Sequence, residues 1–275
     1  MAKKMSNLAS RVIVALIGVP LLVALCLIGK VPFLIFVLFV GLFSFYEFTG
    51  MMKHKNSFLN KMIGFPAVLL IILNEYKHFF EYQIFFIVLI LVLLSAELFR
   101  NRSSAVSNLG ATLLGILYIG FFSAAILDVR EFFNESAFTY YQGGYLILSI
   151  FVSIWLCDSG AYFIGSAYGI HKLMPRVSPK KSWEGAVAGF IFAVSGMIVF
   201  KSIAMDFLSL ANSIALGIII GVFGQIGDLV ESLVKRDANV KDSSSLIPGH
   251  GGIFDRFDSL LFTAPIVYLY LQLIK

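Results

Sequence analysis

From Val31 to Phe45 the chain reads Val-Pro-Phe-Leu-Ile-Phe-Val-Leu-Phe-Val-Gly-Leu-Phe-Ser-Phe, without one charged side chain. The apolar run continues to residue 50, with Glu47 as its single charge. A run of about 17–25 such residues is long enough to cross bilayer hydrocarbon as a helix. Working outward, eight more runs of this kind appear, and the predicted spans are 12–29, 31–50, 61–74, 79–99, 106–127, 144–166, 184–205, 208–229 and 254–274. The first two are separated by almost nothing but Lys30, which forces a tight hairpin. The third is short and contains Pro66. No small-residue cleavage site precedes Lys30, so the first span reads as a retained signal-anchor behind Lys3, Lys4 and Arg11.

Composition agrees. Of 275 residues, 59% are hydrophobic, 15% aromatic and only 13% charged, against about 25% charged in an ordinary soluble domain. Mean hydropathy is +0.90. Disordered chains, disulfide scaffolds, coiled coils and soluble enzymes are excluded, which leaves an all-α polytopic membrane protein of about nine transmembrane helices. Cys26 and Cys157 both sit in apolar runs and read as buried thiols, not as a bridge or a metal site.

Basic residues are sorted by side. With the N-terminus in the cytoplasm, 16 of the 21 Lys and Arg residues fall on cytoplasmic segments; Lys30, Lys77, Arg130, Lys201 and Lys275 fall outside. That bias predicts N-in, C-out and an odd number of spans. The net charge of +5 is therefore a membrane signature and no sign of nucleic-acid binding.

The chain reads as two halves. Residues 1–140, about five spans rich in Leu, Ile, Val and Phe, form a scaffold. Residues 141–275 hold 15 of the 23 glycines and most of the polar groups within reach of the membrane. Gly185 and Gly189 are four apart, as are Gly217 and Gly221, with Gly224 and Gly227 continuing the series. Small residues at this spacing let helices approach closely.

Four carboxylates stand in costly positions. Asp158 and Asp228 end long apolar runs, and Asp255 and Asp258 open the last one. An ionised carboxylate near hydrocarbon costs on the order of 2.5–3.5 kcal/mol, so such groups persist when paired, hydrated or metal-bound. Asp255 and Asp258 are three apart and share a helix face. Asp228 ends the preceding span on the same membrane side. Three carboxylates converging at one depth suit a hard divalent cation, Mg2+, with positions left for substrate phosphates; a network of Asp–Lys and Asp–Arg pairs is the other reading. Glu47 and Glu97 lie near cytoplasmic span ends, where interfacial solvation explains them as well as a role does.

Two cytoplasmic loops carry cations. In Ser178-Pro179-Lys180-Lys181-Ser182-Trp183-Glu184-Gly185, Ser178 is the expected N-cap and Pro179 the first helical residue, so a helix N-terminus stands beside two lysines, an anion site. The alternative is an ordinary positive-inside anchor. In the second loop, Gln225, Asp228 and Ser232 line one face of the helix leading into it, with Lys235 and Arg236 one turn on. Lys241-Asp242-Ser243-Ser244-Ser245 and the turn Pro248-Gly249-His250-Gly251-Gly252 follow. Glycines there permit positive φ and offer backbone N–H groups to a phosphate. There is no GxxxxGK[ST], hence no P-loop, and no zinc spacing. The combination fits phosphoryl or nucleotidyl transfer at the inner membrane face on a substrate with a lipid tail.

The stretch from Ser232-Leu233-Val234-Lys235-Arg236 through Lys241-Asp242 to Pro248-Gly249-His250-Gly251-Gly252-Ile253-Phe254-Asp255-Arg256-Phe257-Asp258 resembles the signature of the phosphatidate cytidylyltransferase (CDP-diacylglycerol synthase) family across 27 positions. Cys157-Asp158-Ser159-Gly160-Ala161-Tyr162-Phe163-Ile164-Gly165 and Ser178 to Gly185 resemble it too. The resemblance covers roughly residues 150–260; the first five spans match only in being hydrophobic.

That resemblance implies CTP and phosphatidic acid as substrates, CDP-diacylglycerol and pyrophosphate as products, and Mg2+ with a second, monovalent ion. It also implies a homodimer among membrane lipids, and a cytoplasmic-facing site in a bacterial-type inner membrane. On this reading Asp228 and Asp255 hold Mg2+, with Asp258 as a third ligand or a ligand to the second metal. Lys180 and Lys181 stabilise the departing pyrophosphate. Arg236, Arg256 and the Gly251-Gly252 backbone orient phosphates. Asp158, Tyr162, Ser178, Gln225, Ser232, Lys235, Lys241 and His250 line the substrate site. A CTP-dependent polyprenol kinase, an ether-lipid CDP synthase, an ion transporter using the carboxylates and a catalytically dead scaffold are the alternatives. CDP-alcohol phosphotransferases are disfavoured, since their DGxxAR opening is absent and Ser159 follows Asp158.

Overall fold

The computed structural model describes residues 7–134, 139–244, 246 and 251–274, with side chains from residue 15 onward. The described residues form nine helical rods and one short hairpin. The rods are α1 (Asn7–Ile28), α2 (Lys30–Lys53), α3 (Lys61–Lys77), α4 (Tyr82–Leu98), α5 (Ala105–Glu131), α6 (Tyr140–Tyr168), α7 (Trp183–Ala204), α8 (Leu210–Asp237) and α9 (Phe254–Ile274). Each predicted span falls on one of them. Six, namely α2 and α5 to α9, are long and apolar enough to cross a membrane. Of the others, α3 and α4 have 17 residues each, about 25 Å at 1.5 Å per residue, against about 30 Å of hydrocarbon.

The all-α expectation missed the hairpin. Lys172–Met174 (β1) pairs antiparallel with Ser178–Ser182 (β2), Lys172 facing Ser182. This also corrects the helix start. Ser178 is not the N-cap and Pro179 not the first helical residue, because both lie in β2. The cap is Ser182, with extended backbone (φ −128°, ψ 158°), whose hydroxyl accepts the Gly185 N–H at 3.2 Å. Ser182 satisfies one of the N–H groups that a helix start leaves without a partner.

Two compact units interleave along the chain. The first comprises residues 1–21, 31–127 and 235–257; the second comprises 22–30, 128–234 and 258–275. In the first, α5 carries a π-helical segment, Ile116–Phe121. Its Asn108 and Thr112 accept the backbone N–H groups of Phe58 (2.6 Å) and Asn60 (3.1 Å), fixing the connection from α2 to α3. Glu97, 6% exposed, is not solvated at an interface; it accepts from Arg100 and from Asn108.

In the second unit, the end of α1 turns through Gly29 (φ +64°) and Lys30 (φ +50°), the tight hairpin expected. The Lys30 N–H donates to the Tyr140 hydroxyl at 2.6 Å. Arg130, expected on an outer loop, is wholly buried. Its guanidinium donates to the carbonyls of Cys26 (2.6 Å), Leu27 (3.1 Å) and Tyr140 (3.3 Å). The last carbonyls of a helix lack partners within it, and here a cation from another helix supplies them.

The glycine series does what its spacing predicts. A Cβ on Gly185 would lie 2.8 Å from the Ala161 carbonyl oxygen, and one on Gly189 2.8 Å from that of Cys157, so α7 touches α6 backbone to backbone. A Cβ on Gly217 would lie 2.8 Å from Val194 Cα, and one on Gly227 2.6 Å from Phe262 Cβ and 2.8 Å from the Asp258 carbonyl oxygen. Cys26 and Cys157 are free and buried, as expected.

Candidate active site

The close approach of α6 and α7 leaves a cleft of about 570 Å³ at the β-hairpin end of these helices, wholly within the second unit. Six of the expected site residues line it: Asp158 and Tyr162 from α6, Lys180 and Lys181 from β2, Gln225 and Asp228 from α8. Lys172 of β1 joins them. Lys181 Nζ lies 2.6 Å from Asp228 Oδ2, with the two side chains 28% and 34% exposed. Ser232, one turn on, donates its hydroxyl to Asp228 Oδ1 at 3.3 Å, so the expected shared face is real. Gln225 donates its amide to the carbonyls of Ala186 (3.0 Å) and Gly221 (2.7 Å), joining α8 to α7 at the cleft wall. Ser178 is not among the lining residues.

Asp258, on the first turns of α9, belongs to the same unit. The Gly227 contact puts the α9 backbone at Asp258 directly against α8, beside Asp228. Its Oδ1 accepts the Ser259 N–H at 2.7 Å.

The remaining expected residues lie in the first unit. Asp255 is 8% exposed and pairs with Lys235 Nζ at 2.7 Å. Its Oδ2 accepts the backbone N–H groups of Gly252 (2.8 Å) and Ser243 (3.0 Å) and the Ser243 hydroxyl (2.9 Å). The Gly252 N–H, expected to face a phosphate, is thus taken by Asp255. Gly251 has φ +82°, the left-handed conformation that its glycine was expected to permit. Arg236, Lys241 and Arg256 are exposed, and Arg236 Nη1 donates to the Val240 carbonyl at 3.2 Å. His250 lies outside the described residues.

No group of three or more His, Cys, Asp or Glu side chains is placed to hold a metal ion among the described residues. A Mg2+ site ordinarily needs only one or two carboxylates, substrate phosphates and water supplying the rest. Asp228 is an oxygen donor part-exposed to the cleft, but its Oδ2 is taken by the Lys181 ammonium, which a metal ion would have to displace.

One residue of the first unit was left open by the sequence reading. Glu47, for which interfacial solvation and a role stood equal, is 2% exposed. It accepts the Ser243 and Ser244 hydroxyls (2.9 and 2.6 Å) and the N–H groups of Ile253 and Phe254 (2.9 and 2.8 Å). The signal was present: a lone carboxylate in the apolar run 31–50 faces the same cost that singled out the four aspartates.

The chain has known relatives. The model of the "Cytidylyltransferase family" matches residues 9–274. A phosphatidate cytidylyltransferase of Bacillus subtilis is 33% identical over 275 residues, 98% of this chain and 99% of the relative. One from Brucella suis is 33% identical over 270 residues, 97% of this chain and 94% of the relative. One from Haemophilus influenzae is 44% identical over 149 residues, about half of each chain (52% and 51%).

Proposed function

We propose that this chain, which belongs to the cytidylyltransferase family, joins CTP to phosphatidic acid to give CDP-diacylglycerol and pyrophosphate. A phosphate oxygen of phosphatidic acid attacks the α-phosphorus of CTP. The new P–O bond forms as the bond to the bridging oxygen of the β-phosphate breaks, and pyrophosphate leaves with that oxygen. The attacking phosphate monoester is already anionic near neutral pH, so no strong general base is needed. The observation that carries this reading is the cleft, where Asp158, Lys180, Lys181 and Asp228 converge from three segments far apart in sequence.

The chain's own groups then act by position and charge. Lys181, paired with Asp228 at rest, turns to the phosphates with Lys180 and offsets charge on the departing pyrophosphate. Tyr162, 70% exposed at the cleft, offers its ring to the nucleotide. Gln225 and the α6–α7 glycines keep the walls in register. Asp228 and Asp258 are the carboxylates assigned to Mg2+; when bound, the ion supplies charge stabilisation at the phosphates. Asp255 is assigned to the ion by the signature alone. The site faces the cytoplasm of a bacterial-type cell membrane, the side that collects the basic residues, and the enzyme works as a homodimer.

The test is label transfer in detergent with phosphatidic acid. Label from the α-phosphate of CTP enters the lipid fraction, with release of pyrophosphate that requires Mg2+. Label from the γ-phosphate entering lipid instead would identify a kinase and sink the proposal.

A further inference from the structure

Glu47 belongs to α2, in the half of the chain that the sequence reading treated as scaffold, yet all four of its hydrogen bonds go to residues 243–254. Burying a carboxylate is costly unless its oxygens are fully answered. Here no Lys or Arg answers Glu47 among the described residues. Two hydroxyls and the first N–H groups of α9 do so, where the helix dipole also favours an anion. An N-cap is ordinarily supplied from within the adjoining chain; this one comes from 207 residues away.

Ser243 ties this anchor to the signature aspartate. Its hydroxyl lies 2.9 Å from both Glu47 Oε2 and Asp255 Oδ2. A hydroxyl has one proton, so the two carboxylates share a single donor, and what happens at Glu47 changes what Asp255 receives. Gly252 lies in the same junction: a Cβ there would collide with Ser243 Oγ and with the Glu47 carboxylate. The last signature glycine is therefore matched to a side chain outside the signature.

We infer that Glu47 is a positioning residue for cytidylyl transfer: through Ser243 and the N-terminus of α9 it fixes the orientation of Asp255. The inference rests on the function proposed above. A carboxylate is required because each oxygen faces one backbone N–H that cannot turn away. Glutamine would present its NH2 to one of them and leave that N–H without an acceptor.

The experiment compares wild type, Glu47→Gln, Ser243→Ala and the double variant in detergent. It reads kcat, both KM values, melting temperature, and Mn2+ binding by electron paramagnetic resonance without nucleotide. Ser243→Ala leaves both backbone bonds of Glu47 intact and serves where Glu47→Gln fails to fold. Misplacement of a reacting group by about 1 Å costs about 100-fold. Both single variants are expected to lose kcat on that order, hold both KM values within about threefold, and bind Mn2+ more weakly; the double variant falls little further, because both act through one hydroxyl. Variants that melt earlier but keep wild-type kcat per folded molecule and wild-type Mn2+ affinity would show a structural anchor only and overturn the inference. Multiplying losses in the double variant would overturn it too. If wild type makes no CDP-diacylglycerol, the proposed function falls, and the Mn2+ comparison still decides the role of Glu47. A wild type that neither turns over CTP nor binds Mn2+ overturns both.

Discussion

Lys181 Nζ sits 2.6 Å from Asp228 Oδ2, joining β2, the strand before α7, to α8. Both groups are about a third exposed, and pairs of that kind contribute about 0–1 kcal/mol to stability. The pair therefore has little to do with holding the fold. Lys181→Met and Asp228→Asn should each melt within a few degrees of wild type. Turnover should fall about 100–1000-fold, the usual loss on removing one preorganised charge. Equal losses of melting temperature and activity would show the pair to be structural.

Gly185→Ala tests the close approach of α6 and α7. The new methyl would meet the Ala161 carbonyl oxygen at 2.8 Å and Gly165 Cα at 3.0 Å, backbone atoms that have no rotamer to change. Overpacking of this kind costs about 1–3 kcal/mol, and the cleft wall must open. A lower melting temperature with raised KM for CTP is the expected result. Gly110→Ala, where nothing lies within 4 Å of the added carbon, is the control: KM should not change, and the melting temperature should hold or rise, since Ala favours a helix over Gly.

Arg130→Met should be among the most damaging changes outside the site. It takes a donor from one buried carbonyl, that of Cys26, and from the part-buried carbonyls of Leu27 and Tyr140, at about 1–3 kcal/mol for a buried group left unsatisfied. Yield of monodisperse protein by size-exclusion chromatography should collapse. Arg130→Lys, with one nitrogen in place of three, should recover only part of it. Wild-type yield from the Met variant would contradict the capping role.

Topology separates nine crossings from six. With the N-terminus inside, an odd count puts the C-terminus outside and an even count puts it inside. A C-terminal alkaline phosphatase fusion should be active, and a C-terminal green fluorescent protein fusion dark. The reverse pattern would mean that an odd number of the three remaining rods, α1, α3 and α4, fail to cross.

Much of this was legible in residue order. Nine apolar runs gave nine helices because a backbone in hydrocarbon must satisfy its own hydrogen bonds, and a long apolar run does so only as a helix. The glycine series marked the helix contacts in advance. The misplaced cap is instructive: Ser178-Pro179 and Ser182 are both plausible starts for α7 by local chemistry, and the choice fell to Ser182 once Ser178–Ser182 paired with β1. That pairing is invisible in a five-residue polar stretch.

Arg130 and Glu47 mark the boundary between the two kinds of knowledge. Hydropathy assigns a charge at a span end to water, because water is the cheapest partner the local sequence offers. The sequence alone determined that this is a helical membrane protein with its aspartates gathered in its second half, because burial cost and charge asymmetry act residue by residue. Only tertiary structure decided that Arg130 caps α1 and that Glu47 holds Ser243, Ser244, Ile253 and Phe254. A buried charge is satisfied by whichever donors or acceptors the packed helices bring to it, and Cys26 lies 104 residues from Arg130 and Phe254 207 residues from Glu47 in the chain.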